Sequence, residues 1–393
     1  MVENNNLYKK LGVSSKKEEV HKALESIDKG LFPGAFCKIV EDIAGSPDYC
    51  SIFHEDGAGT KASLAYMYYK ETGDINVFKG IVHDAMVMNI DDILCVGATG
   101  DLFLSNTITR NANFISGKIL STIINEYESY SKKLNTYGLK ITTCGGETED
   151  LGDLVKTLSV FASIFTRMKR EDVIDANQIK SSDVIIGLAS FGKSSYEDEY
   201  NSGIGSNGLT LARHGMLSHE YHKKYPECYD QNLDEKFIFF GKYKLTDMID
   251  ELNMNVGKAL LSPTRTYTPI IVDILKEYRQ EIHGIIHNTG GGQTKILKFG
   301  KGIKYVKNNL FKVPHIFKLI QRSSKTQWKE MFGVFNMGHR MELLCDESIA
   351  SNIINITKNY DIDSKIIGYC EKSPIKSKNI LELRSEFGSY SYN

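Results

Sequence analysis

Residues 78–97, FKGIVHDAMVMNIDDILCVG, decide how the chain reads. Phe78, Ile81, Val82, Ala85, Met86, Met88, Ile93 and Val96 cover most of a helix's circumference, and Gly97 stops it. A helix apolar nearly all round is a buried one. Yet this one carries Asp84, Asp91 and Asp92. At about 100° per residue, Asp84 and Asp91 fall within about 20° of each other, with Asp92 about 80° away. Carboxylates on a buried face need cations, donors or shifted pKa values. On a solvated edge, or as caps near a helix end, they need none of these. The helix alone leaves both readings open.

Outward from it, the periodicity alternates. Ile119, Ile123, Tyr127, Tyr130 and Leu134 give an amphipathic helix over 118–137, closed by Gly138. Over 155–166 the period becomes two: Leu158, Val160, Ala162 and Ile164 share one face of a strand. The polar stretch Arg167–Asp183 reads as a junction between two domains, 1–172 and 173–393. Beyond it strands are expected at 183–189, 282–287, 339–345 and 364–370. Helices are expected from near Ser206, at 266–279, after Pro314 and at 348–358. The tail from Lys372 is polar and expected to fray. Strands and helices alternate in both units, so the class is α/β or α+β.

The 393 residues agree with two to three domains. Net charge is −1, with no basic excess for a chain-wide grip on nucleic acid. Seven scattered cysteines, none in a CxxC, form neither a disulfide framework nor a zinc motif, and suit reduced thiols in a cytosol. Met1–Lys10 has no apolar stretch for a signal peptide, and no run is long enough to cross a membrane. A cytoplasmic protein is expected.

Two nucleotide-motif matches mislead. Gly187–Ser194 fits the P-loop pattern, but a P-loop opens into a helix. Here Glu197, Asp198 and Glu199 follow where phosphate would sit. Gly203–Gly208 fits GxGxxG without an evident βαβ unit. More telling are Asp56-Gly57-Ala58-Gly59-Thr60-Lys61, an acid before a glycine turn and a lysine, and Gly145-Gly146-Glu147-Thr148, an acid after two glycines. Glycines let backbone N–H groups approach phosphate, and carboxylates hold Mg²⁺ against it. Together with the helix acids they suggest a Mg–nucleotide site outside the P-loop class.

These segments, in this order, resemble the aminoimidazole ribonucleotide synthetase (phosphoribosylformylglycinamidine cyclo-ligase) family. Asp56–Lys61 resembles its Asp-Gly-x-Gly-Thr-Lys. Asp92 through Gly97-Ala98 resembles its Asp-x4-Gly-Ala, and Gly145–Thr148 its Gly-Gly-Glu-Thr. Further along, Ser206–Gly208, Pro263–Tyr267, His287–Gly292 and Phe335–Gly338 resemble its Ser-Asn-Gly, Pro-Thr-Arg-x-Tyr, His-x-Thr-Gly-Gly-Gly and Phe-Asn-Met-Gly.

The resemblance implies an α+β fold: an N-terminal ferredoxin-like domain that pairs with its twin in a dimeric barrel, and a C-terminal mixed-sheet domain. It implies ATP-dependent ring closure of formylglycinamidine ribonucleotide in purine biosynthesis, by a homodimer using ATP and Mg²⁺, with no nucleic-acid or membrane partner. It assigns metal binding to Asp56, Asp84, Asp92 and Glu147. ATP and phosphate fall to Asp56, Gly57, Gly59, Thr60, Lys61, Gly97, Ala98, Gly145 and Gly146. Substrate falls to Ser206, Asn207, Thr264 and Arg265. Catalytic roles fall to Asp92, Lys61 and His287, with Lys61 neutralising the triphosphate and Arg265 the foremost anion binder.

The substrate side departs from the pattern. Gly205 stands where the family has a histidine, an extra stretch lies near 193–203, and His339-Arg340 replace small or apolar residues. His339 is therefore expected to substitute for the missing histidine at the substrate. Two other readings remain: a superfamily enzyme acting on a different amide or phosphate acceptor, and a non-catalytic nucleotide-binding dimer. No cysteine precedes residue 30 to support selenophosphate synthesis.

Overall fold

The computed structural model describes residues 6–14, 18–24 and 26–393. The first five residues of the polar N-terminus lie outside these.

A five-stranded sheet takes the first part of the chain, in the order Val40–Glu41, Tyr49–Gly57, Leu158–Lys169, Asp101–Arg110, Lys140–Asp150. Leu158, Val160, Ala162 and Ile164 point to the covered face, as their alternation requires. Asp101–Arg110 and Lys140–Asp150 pair in parallel. A parallel pair needs a crossover, and helix Gly117–Asn135 supplies it. Two helices, Lys61–Thr72 and Val77–Leu94, join the Tyr49–Gly57 and Asp101–Arg110 strands. Helices thus follow the first and second long strands, which differs from the β-α-β-β-α-β order of a ferredoxin-like unit. The motif turns hid the strands Tyr49–Gly57 and Asp101–Arg110 and the helix Lys61–Thr72 from the periodicity reading.

Helix Val77–Leu94 is buried at every residue except Lys79 and His83. It packs on the first sheet, on helix Gly117–Asn135 and on helix Thr268–Tyr278 of the second half. So Asp84, Asp91 and Asp92 occupy an interior, not a solvated edge.

The second sheet has seven strands, in the order Gly388–Tyr392, Ile380–Ser385, Ile303–Lys307, Ser364–Lys372, Val184–Ala189, His339–Cys345, Ile282–His287. The two sheets divide the chain between Lys169 and Val184. The tail does not fray. It supplies the two outer strands, with Leu381 and Leu383 fully buried and Trp328 stacked on Phe387. The signal was a short alternation, Leu381-Glu382-Leu383-Arg384, inside polar sequence. Likewise Arg167–Lys169 extend a strand by pairing with Tyr49–Ser51, and Asp42 takes two hydrogen bonds from Arg167 at 2.6 and 2.8 Å.

Candidate active site

Two turns meet where the halves touch. The first, Gly57–Thr60, leads into helix Lys61–Thr72. Gly59 sits at φ +61°. A Cβ on Gly57 would stand 2.5 Å from the Phe161 ring. The helix starts without a side-chain cap on Thr60 and without an acid in its first turn. An uncapped, acid-free helix start is suited to a phosphate. The second turn, Gly205–Gly208, leads into helix Leu209–Met216. Lys61 Nζ donates to Gly205 O at 3.2 Å, and Thr60 Oγ1 lies 3.3 Å from Thr210 Oγ1.

Beside the first turn runs a chain of charged side chains. Asp56 is exposed, and its Oδ1 accepts from Gly57 N at 2.7 Å. Asn89 Nδ2 holds the Asp56 carbonyl, and Asn89 Oδ1 lies 2.9 Å from His54 Nδ1. His54 Nε2 faces Asp92 Oδ2 at 3.4 Å, while His287 Nδ1 bonds Asp92 Oδ1 at 2.7 Å. Arg340 Nε donates to His287 Nε2 at 3.0 Å, and Arg340 also bonds the Arg265 carbonyl. Burial pushes the Asp92 carboxyl upward, but the bonds from His287 and His54 outweigh it and hold its pKa below the usual range. Burial works against the His54 charge as well. Its contacts with Asp92, then Asn89 and Asp56, prevail and raise its pKa.

Other expected ligands are sealed. Lys61 was to meet the triphosphate. It is fully buried, and its three donors go to Asp84 Oδ1 (2.9 Å), Ser262 O (2.5 Å) and Gly205 O. Asp84 Oδ1 also accepts from Thr264 N at 2.7 Å and Thr264 Oγ1 at 2.6 Å, and Thr264 Oγ1 lies 2.8 Å from Ser206 Oγ. This knot pins the second half onto the helix, and it encloses Thr264 as well. Arg265 was the foremost anion binder. Glu197 and the carbonyls of Ala189, Phe191 and Gly192 consume its guanidinium. The extra stretch near 193–203 thus delivers an internal carboxylate, and no helix begins at Gly192.

His339 does not take the place of the missing histidine. It is buried against Glu342, which also pairs with Lys307. The strand's register shifts between His339 and Met341, and around this irregularity His339 turns to Glu342 while Arg340 turns to His287. It is Arg340 that reaches the turn: a Cβ on Gly205 would stand 3.5 Å from Arg340 Nη1. Arg340, His54 and Asn89 are the site residues that sequence reasoning missed. The His339-Arg340 departure was the signal for the first.

Four acids in one metal site are not found within one chain. Asp84 and Asp92 are eight residues apart on a helix, about 12 Å. Asp56 and Glu147 lie on strands three places apart in the sheet, about 14 Å. Gly145 and Gly146 are exposed on the edge strand with Glu147. Gly97 and Ala98 are buried where the first half meets Arg279, which bonds the Gly97 carbonyl at 2.8 Å. Ser206 and Asn207 are half-buried on the second turn.

The donor set fits Mg²⁺ at the Asp56 end. Asp56 is exposed, and Asp92 is held ionised with 11% of its side chain open. Hard carboxylate oxygens are what Mg²⁺ takes. Asp84 does not fit, because its surroundings are closed.

Residues 37–166 match the family described as AIR synthase related protein, N-terminal domain. The chain is 30% identical to the phosphoribosylformylglycinamidine cyclo-ligase of Methanococcus vannielii, over 86% of this chain and 81% of the relative. It is 32% identical to that of Thermoanaerobacter pseudethanolicus, over 88% of each. Among solved structures, phosphoribosylformylglycinamidine synthase II from Thermotoga maritima shares the fold. The TM-score is 0.54 at 12% identity, over 98% of this chain and 50% of that one. PurL of T. maritima complexed with AMPPCP gives 0.51 at 12% identity, over 98% of this chain and 49% of that one.

Proposed function

The chain belongs to the phosphoribosylformylglycinamidine cyclo-ligase family, and we propose that it closes the imidazole ring of aminoimidazole ribonucleotide at the two meeting turns just described. ATP phosphorylates the formamide oxygen of formylglycinamidine ribonucleotide. The amidine-side nitrogen attacks the activated carbon, and phosphate leaves. A poor oxygen leaving group thereby becomes a good one, and the attack is intramolecular, so holding a folded substrate supplies much of the rate.

The observation that carries the assignment is the uncapped start of helix Lys61–Thr72 directly after Asp56, with the Ser206-bearing turn bonded to it. Backbone N–H groups of Gly59 and Thr60, at the helix start, take the triphosphate, while those of Gly57 and Ala58 are held by Asp56 Oδ1 and the Val160 carbonyl. Asp56 and Asp92 would hold Mg²⁺, which would supply charge neutralisation for phosphoryl transfer. His287 and His54 keep Asp92 ionised. Ser206 and Asn207 face the substrate from the second turn. Lys61, Asp84, Thr264 and Arg265 act one layer back, fixing the turns against each other.

The dimer is part of the proposal. The outer face of the first sheet carries Phe53, 65% exposed, and Phe103, 47% exposed, with Phe165 paired between them. A second copy covers this face, which brings two sheets into one barrel.

The test is direct. Purified protein with ATP, Mg²⁺ and formylglycinamidine ribonucleotide is expected to give equal amounts of ADP and aminoimidazole ribonucleotide. ADP without the ring product, or ATP binding without turnover, overturns the assignment.

A further inference from the structure

Residues 219–240 leave the second half as an excursion, closed at its neck by the bridges Leu217 to Tyr243 and Ser218 to Gly241. Inside it, His219, His222 and Glu235 bring one ligand atom each to within 4.8 Å of one another. We propose that these three side chains bind a divalent transition-metal ion, with Zn²⁺ as the preferred occupant and water completing its shell.

Three observations carry this. First, the tautomer of His219 is set. Its Nδ1 lies 2.9 Å from the Ile238 carbonyl, which can only accept. Nδ1 therefore carries a proton, and Nε2 is the nitrogen turned toward Glu235. A backbone carbonyl on the far ring nitrogen is the usual orienting partner of a metal-bound histidine.

Second, His222 Nδ1 is shielded from solvent and has no hydrogen-bond partner. An imidazole nitrogen without a partner costs free energy, which a coordinated cation would recover.

Third, the distances suit coordination better than hydrogen bonding. His219 Nε2 and His222 Nδ1 stand 3.6 and 3.5 Å from Glu235 Oε1, too long for good hydrogen bonds. Ligand atoms about 2.1 Å from a tetrahedral ion are separated by about 3.4 Å.

Two imidazoles and one carboxylate select Zn²⁺-like ions over Mg²⁺, which prefers oxygen and its own waters. The ion would tie His219 to Glu235 across the excursion. That excursion also grips helix Lys61–Thr72, since Tyr225 Oη and Lys224 Nζ both reach Glu71, at 2.5 and 2.6 Å. Zn²⁺ is therefore a staple on the element that bears the proposed phosphate turn, not a reactant there.

The experiment is equilibrium dialysis of the chelator-stripped full chain against Zn²⁺ alone, with metal counted per chain, followed by thermal unfolding. One Zn²⁺ per chain is expected, with a higher Tm and unchanged uptake in excess Mg²⁺. Co²⁺ is expected to give the visible absorption of a tetrahedral N/O site. His222→Ala and Glu235→Gln should each weaken uptake at least tenfold and abolish the Tm rise. Glu235 is exposed, so its variant folds even if the histidine variant does not. Full uptake by Glu235→Gln, or no stoichiometric uptake by the parent chain, overturns the proposal.

Discussion

Arg340 Nε donates to His287 Nε2 at 3.0 Å, and this one bond decides where the His287 proton sits. Arginine has no acceptor, so Nε2 must accept and Nδ1 must carry the hydrogen offered to Asp92. Arg340 thereby controls the carboxylate two bonds away. It is itself held by the Arg265 carbonyl and lies over the Tyr267 ring at 5.3 Å.

Arg340→Met should therefore damage more than local packing. His287 Nε2 loses its donor in a fully buried setting, at a cost of about 1–3 kcal/mol. Arg340→Lys keeps the charge but not the fork, and should recover part of the stability. Since neither variant removes a group from the two turns, kcat/KM should fall about 10–100-fold, as for other orienting partners. Calorimetry alongside steady-state kinetics checks both. A fully active, fully stable Arg340→Met would refute the relay.

The pH dependence follows from Asp92 and His54, with opposite signs. Asp92 has a folded pKa below its unfolded value of about 3.9. Its contribution is present above that value and lost as pH falls through the folded one. His54 has a folded pKa above about 6.5. Its contribution is present below that value and lost as pH rises through the folded one. Asp92→Asn removes the partner of both. Its Tm profile should be flatter than the parent's on the acid side and again above neutrality. Thermal unfolding from about pH 3 to 9 reads the difference. Parallel profiles would show that the two side chains are not coupled.

The fold was legible where the period was long and unbroken. Leu158 to Ile164 alternated, and residues 78–97 were apolar all round. The direction of Lys61 was not legible. The motif announces a lysine beside a glycine turn, but the carbonyls that seal it belong to Gly205 and Ser262, 144 and 201 positions away. The same holds for Arg265, whose Glu197 partner comes from the stretch that departs from the family pattern. The choice of His339 over Arg340 failed on the register shift between His339 and Met341, an irregularity that re-aims a side chain and that no local pattern in the sequence announces.

Lys61 offers a clean separation of structural from phosphate-binding roles. Lys61→Met leaves Asp84 charged and buried without its cation, at a cost of about 3–5 kcal/mol. Lys61→Met with Asp84→Asn removes both charges and should be the more stable of the two. If Lys61 acts only through this knot, the KM for ATP of the folded double variant should stay within a few-fold of the parent's. A large rise in that KM, with stability restored, would return Lys61 to the triphosphate.

The outer face of the first sheet gives the last expectation. Phe53, Phe165 and Phe103 stand side by side in one register row, on a face that no element of the described chain covers with helices. Exposed aromatic rows on a sheet favour burial against another surface. Phe103→Asp places a charge at one end of that row, beside Phe165. If two copies pair there, the buried carboxylate should split the dimer into monomers. Phe103→Leu, which keeps the apolar contact, should not. Light scattering at several concentrations distinguishes the two. Because Phe103 is about half exposed in the single chain, Phe103→Asp should change the monomer's own stability little. A loss of dimer without unfolding is then the signature of an interface, and an unchanged dimer would move the contact elsewhere.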